Sequence, residues 1–218
     1  MILRLQRLYI AMHTGRLLFF VPIIILYVLM PVACISTFHS ANLNESRSMF
    51  IYILHSLVPV LSLLWMLAHL QIWIDSEGSE ALYANRQRGK GNVPDLLVLL
   101  GAYLAMTLPG FAIASHYYRG IWLEWLRFAS VVTLLTSAFY VLSITMRSVA
   151  MASLITFTYS FISVLYTREA SLSHILLLKP HRELIPGELT ENYLPFFLIG
   201  CFLFFLGHLL ETRLYRAT

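Results

Sequence analysis

The sequence predicts an all-α membrane protein with six transmembrane helices, and three observations carry that prediction. Of 218 residues, 59% are hydrophobic and only 12% are charged, whereas a soluble domain of this size exposes far more charge. Six predominantly apolar runs, 17–35, 49–74, 94–115, 126–146, 148–167 and 193–210, each approach or exceed the ~18–20 residues that cross a bilayer core as helix. The fifteen Lys and Arg then sort by side. With the N-terminus inside, nine are cytoplasmic: Arg4, Arg7, Arg16, Arg86, Arg88, Lys90, Arg147, Arg213 and Arg216. Six fall outside: Arg47, Arg119, Arg127, Arg168, Lys179 and Arg182. Positive charge gathers on the cytoplasmic side of membrane proteins, so both termini are expected there.

Residues 1–16 place Leu5, Leu8, Tyr9 and Met12 on one helical face and Arg4, Arg7 and Thr14 toward the other. That spacing fits a helix lying in the membrane interface before the first span, or a plain extension of it. "MPVAC" near the end of the first run partly matches a lipoprotein cleavage site, but Pro31 fits poorly and the run is longer than a signal core, so the helix is read as retained. Asn44-Glu45-Ser46 in the first outer loop has the form of a glycosylation acceptor, a short and unspecific pattern.

The second run holds His55, Pro59, His69 and Gln71. The two histidines are about 20 Å apart along a helix and cannot share a metal. Each reads as a satisfied interior histidine or as part of a path through the bundle. The fourth and fifth runs are separated only by Arg147, without Gly or Pro. One helix through both would be about 60 Å long, so a hairpin turn is expected at Arg147. In the fifth run Ser153, Thr156, Ser160 and Ser163 form one hydroxyl stripe, which serves close helix packing, a substrate path or a subunit interface. Residues 168–192 contain a short apolar stretch, 175–178, followed by Pro180 and Pro186. This texture fits a re-entrant hairpin that forms an outer lid, with His174, Pro180 and Pro186 at an outer gate.

Enzyme chemistry finds little footing. There is no His-Glu-x-x-His pattern, no Gly-x-Ser-x-Gly elbow and no carboxylate pair legible within the spans. His174, His181 and Glu183 form the one cluster of suitable types, and loop residues of that kind are ordinarily solvated. Cys34 and Cys201 lie in apolar runs and read as small buried hydrophobes, with no disulfide or metal implied. The net charge of +4 is spread over both faces, which fits anionic lipid and not nucleic acid.

The segment 75–91, "DSEGSEALYANRQRGKG", is the main polar island of the first two-thirds of the chain. Glu77 and Glu80 fall in the first turn of a short helix and Arg86, Arg88 and Lys90 near its end, which complements the helix dipole. Leu82 and Tyr83 beside those charges offer a knob for a partner's groove, and an ordinary solvated loop is the alternative. Ala84–Gly91 is not a phosphate-binding loop, because Ala84 and Gly91 stand where it needs Gly and Ser or Thr.

These residues resemble the six-helix permease subunits of type-2 ABC exporters. Members carry, after the second span, a coupling helix similar to Glu-x-Gly-Thr-x-Glu-Leu-Leu and then a basic segment. The counterpart here is Glu77-Gly78-Ser79-Glu80-Ala81-Leu82, with Glu80 one position early and Asn85 where proline is common. The interfacial helix, the terse turn at Arg147-Ser148 and the outer hairpin extend the resemblance over nearly the whole chain. It implies a half-transporter in a bacterial cytoplasmic membrane, with two permease copies or related partners over two separate ATPase subunits. ATP and Mg would be bound by those partners, and this chain would carry no cofactor. Glu77, Gly78, Ser79, Glu80, Leu82, Tyr83 and Arg147 would couple to the ATPase. His55, His69, Ser153, Thr156, Ser160 and Ser163 would line the path or the dimer interface. The spans read as free of charge, so the expected cargo is an amphipathic peptide, a lipid or a hydrophobic drug, with a peptide preferred. A membrane enzyme acting on lipid or peptide, and a non-transporting immunity or scaffold protein, are the alternatives.

Overall fold

The computed structural model describes residues 17–32, 35, 43–75, 92–118, 120–166, 178, 184 and 186–214, and the regular structure among them is all helical. Helix α1, Leu17–Ile24, runs into a π-helical turn, Ile25–Leu29. Helices α2, Leu43–Ser56, and α3, Val58–Leu70, follow one another across Leu57 and end in a π-turn, Gln71–Asp75. Next come α4, Val93–Tyr117, α5, Ile121–Met146, and α6, Val149–Leu165. A single turn, Pro186–Glu188, and a π-turn, Leu189–Tyr193, lead into α7, Leu194–Leu214.

Among the described residues four helices are long and apolar enough to cross a membrane: Glu45–Asp75, Val93–Tyr117, Ile121–Met146 and Leu189–Arg213. At 25 to 31 residues they extend roughly 37–47 Å, longer than the ~30 Å hydrocarbon core of a bilayer. Two further apolar helices, Phe20–Val32 and Val149–Leu165, are shorter and coincide with the first and fifth apolar runs. The interfacial helix expected over 1–16, the coupling residues Glu77, Gly78, Ser79, Glu80, Leu82 and Tyr83, and His174 and Pro180 lie outside the described residues.

The hairpin expected at Arg147 is present. Arg147 takes the left-handed conformation, φ 51, and ends α5 with its N–H on the Ile144 carbonyl. A non-glycine residue there costs about 1–2 kcal/mol, and the next residue helps to fix the turn. Ser148 is the N-cap of α6 and its Oγ accepts the Met151 N–H at 3.4 Å, satisfying one of the orphan donors of a helix start.

Two expectations are corrected. Helix α5 begins at Ile121, after Gly120 at φ 77, and not near residue 126. Arg127, expected among the outer loop cations, therefore lies inside the helix and is 1% exposed. Cys201, read as a small buried hydrophobe, is exposed. It lines an open apolar groove of about 410 Å³ between α4 and α7, with Leu97, Leu104, Phe197 and Phe205.

Helix α5 is the axis of the bundle, buried on almost every side, and α7 packs along it most extensively. The face that α7 turns inward is Gly200, Phe204, Gly207 and Glu211, all buried, at helical spacings of four, three and four. A Cβ on Gly200 would stand 3.0 Å from the Leu134 backbone nitrogen, and one on Gly207 would fall on the Tyr140 ring. Without a hydrophobic driving force between helices in lipid, such small residues allow the close approach from which packing attraction comes. On the other side of α5, Phe128 meets the rings of Tyr103 and Phe111 from α4. The Tyr103 hydroxyl donates to the Val58 carbonyl at 2.5 Å, at the junction of α2 and α3.

Replacing Gly200 by Ala presses a methyl against the unyielding α5 backbone and should lower stability by about 1–3 kcal/mol. Gly101→Ala, which meets open space, should not destabilise. Thermal unfolding of the two variants in one detergent compares them directly.

Candidate functional site

Two buried carboxylates, one near each end of α5, organise the polar interior. Glu124 lies in the first turn of α5 and is 3% exposed; Glu211 lies in the last turn of α7 and is 2% exposed. Glu211 meets Tyr140, sixteen residues along α5 from Glu124, so the two sites are about 24 Å apart along the helix axis. That is close to the thickness of the hydrocarbon core.

Around Glu211, three donors from α5 and the start of α4 converge. Asn92, immediately before α4, gives its backbone N–H to Oε2 at 2.8 Å and its side-chain Nδ2 to Oε1 at 2.7 Å. Tyr140 of α5 donates its hydroxyl to Oε2 at 2.6 Å. An ionised carboxylate only accepts, and here every neighbour named is a donor.

Around Glu124, His55 Nε2 lies 2.8 Å from Oε2 and Arg127 Nη1 donates to the same oxygen at 3.3 Å. The other oxygen, Oε1, accepts the backbone N–H of Leu184 at 2.8 Å. The Arg127 guanidinium lies over the Tyr193 ring, 5.1 Å from its centre, in a cation–π contact. Four parts of the chain thus meet at one acid: α2, α5, the peptide at Leu184 and the turn before α7. A second anchor holds the same region, since the Leu178 N–H donates to Ser163 Oγ at 3.1 Å and the Leu178 side chain packs against Val131 and Tyr193.

At the Glu211 end a further acid bridges helices. Both oxygens of Asp75 stand 3.2 Å from the Val149 N–H, at the first residue of α6. A carboxylate at a helix N-terminus meets orphan N–H groups and the positive end of the dipole. Residue 75 is also the first of the polar segment 75–91, so the beginning of that segment is tied to α6.

The residues singled out by sequence distribute as follows. His55 is in the Glu124 cluster; His69 is buried on α3 about 20 Å away along the helix line and near the Trp73 ring. Thr156, Ser160 and Ser163 face the interior, with Thr156 and Ser160 hydroxyls bonded to the Ala152 and Thr156 carbonyls and Ser163 receiving Leu178. Ser153 is only partly buried and bonds to the Ala150 carbonyl. Pro186 begins the single turn before α7.

Glu124, Arg127, Glu211 and Asn92 were not singled out, and the expectation of spans without charge is corrected by three of them. A signal was present: Glu124 and Arg127 stand three apart, on one helix face, at the mouth of an apolar run. Among the described residues no group of three His, Cys, Asp or Glu side chains is placed to hold a metal ion. Comparison with family models, with curated proteins and with solved structures finds no match to this chain.

Removing one partner of a buried charged cluster strands the others. Glu211→Ala removes the acceptor and leaves the neutral donors of Asn92 and Tyr140 buried, so it should destabilise by about 1–3 kcal/mol for each donor left unsatisfied, whereas Tyr140→Phe, which deletes one of the donors named, should cost about 1 kcal/mol. Chemical unfolding in mixed micelles gives both values.

Proposed function

We propose that the chain is the permease subunit of an ATP-driven exporter of the type-2 ABC kind. The observation that carries this reading is the contact of Asp75 with the first N–H of α6. In the proposed topology the chain crosses the membrane six times, with both termini cytoplasmic, so Asp75 and Val149 lie on the inner face. The segment 76–91 is the coupling element, with Glu77, Gly78, Ser79, Glu80, Leu82 and Tyr83 against a separate ATPase.

The mechanism follows from that linkage. A push on the coupling segment passes through Asp75 to the N-terminus of α6, and through the turn at Arg147-Ser148 to α5. Because α5 and α6 are joined by two residues and capped by Asp75 and Ser148, they respond together. Their tilt against a second permease copy exchanges inward and outward access, as ligand-driven shifts between packed arrangements do. Two ATPase subunits supply ATP and Mg chemistry; this chain supplies the path. The cargo in this reading is an amphipathic or hydrophobic molecule, a peptide by preference.

Affinity purification in mild detergent tests the assignment. Wild type should bring down an ABC ATPase, and Glu77→Arg with Glu80→Arg should lose it. Wild type free of any ATPase overturns the reading and favours the membrane enzyme or the scaffold. Asp75→Ala should keep the ATPase bound yet lower cargo-stimulated ATP hydrolysis about fivefold or more, a loss of roughly 1 kcal/mol of coupling. Hydrolysis assays on the purified complex measure it.

A further inference from the structure

The Glu124 cluster holds one acid and two basic side chains in a buried volume. Among the described residues, Arg127 and Glu124 are the charges in contact at this site, and they offset one another while the His55 imidazole is neutral. His55 is 2% exposed, and its Nε2 stands 2.8 Å from Glu124 Oε2. A carboxylate only accepts, so the proton of the neutral ring sits on Nε2. Among the described residues, the charged and titratable groups around His55 are Glu124 and Arg127 of α5, with Tyr193 against Arg127 and Glu188 next to Tyr193 in the electrostatics of the site. The backbone N–H of Leu184 completes the set.

We propose that His55 makes this cluster a proton-operated switch for the Glu124 end of the bundle. A proton taken up by the imidazole adds a second positive charge beside Arg127, with both cations on the one oxygen Glu124 Oε2, in a buried site. Such an excess charge is costly unless hydrated, so proton uptake favours separation of α2 from α5 and entry of water. The same opening loosens the Leu184 N–H from Glu124 Oε1, because one carboxylate holds both. Acid therefore opens this end and neutral pH closes it. The switch is independent of the transport reading, since it needs no ATPase and no second copy.

The test is alkylation of a buried reporter. Ser130 is 8% exposed and lies one turn beyond Arg127 on α5; Thr190 is exposed. Ser130→Cys and Thr190→Cys are each placed in a Cys34→Ala, Cys201→Ala background in lipid nanodiscs, and a water-soluble maleimide is used. Dividing the labelling rate of the Ser130→Cys protein by that of the Thr190→Cys protein at the same pH removes the reagent's own pH dependence. The ratio should rise about tenfold between about pH 8 and pH 5, and stay low and flat in His55→Gln, which keeps a donor to Glu124 but takes no proton. A flat ratio with His55 present, or the same rise in His55→Gln, overturns the proposal. If His55→Gln is not monodisperse, the ¹⁵N spectrum of histidine-labelled protein that keeps His55 and carries glutamine at the other seven histidines decides: its imidazole must protonate with the midpoint of the labelling curve. Absence of such an imidazole equally overturns the switch.

Discussion

A carboxylate buried within a helical bundle must find its hydrogen-bond donors in the protein, because apolar surroundings offer none. Glu211 and Glu124 impose that requirement at the two ends of α5, and most of the arrangement follows. Glu211 draws the entry to α4 and the Tyr140 side of α5 onto α7. Glu124 draws α2, Leu184 and Arg127 together. Between them α5 buries Phe128, Val132, Leu135 and Phe139, and the hydroxyls of Ser130, Thr133, Thr136 and Ser137 bond to carbonyls of their own helix.

Shape and charge are joined at Gly207. Its missing side chain admits the Tyr140 ring against α7, and Glu211, one turn further on the same face, receives the Tyr140 hydroxyl. A larger residue at 207 displaces the ring and so removes a donor from the acid. Gly200, two turns earlier on that face, lets α7 approach the α5 backbone itself. The close crossing and the buried acid therefore stand or fall together. The donors of Asn92 and Tyr140 fix one register between helices, since sliding α7 by a residue turns Glu211 away from both.

Much of the helical architecture was legible because helices long and apolar enough to cross a membrane leave a strong trace in composition. The helix ends near Asp75, Pro94 and Met146, and the turn at Arg147, follow from apolar runs and from the length a bilayer allows. The candidate site was less legible, for a definite reason. Glu124, Arg127 and Glu211 lie at the ends of apolar runs, where a charge reads as the edge of a span facing water. Only tertiary contacts decide whether such a charge is solvated or buried. Asn92 carried no pattern at all; its role depends on Glu211, 119 residues away in the chain. The hydroxyl stripe was legible as a face, and its internal bonds to preceding carbonyls are a property of helix geometry that spacing alone does not assign to packing or to a path.

The claim on which this account rests is that the polar side chains near the bundle ends act as linked groups and not as separately solvated residues. A double-mutant cycle on His55 and Glu124, read as unfolding free energy in bicelles, tests it most directly. Coupling above about 1 kcal/mol between His55→Ala and Glu124→Ala is the predicted result. Two losses that add within about 0.3–0.5 kcal/mol would contradict it.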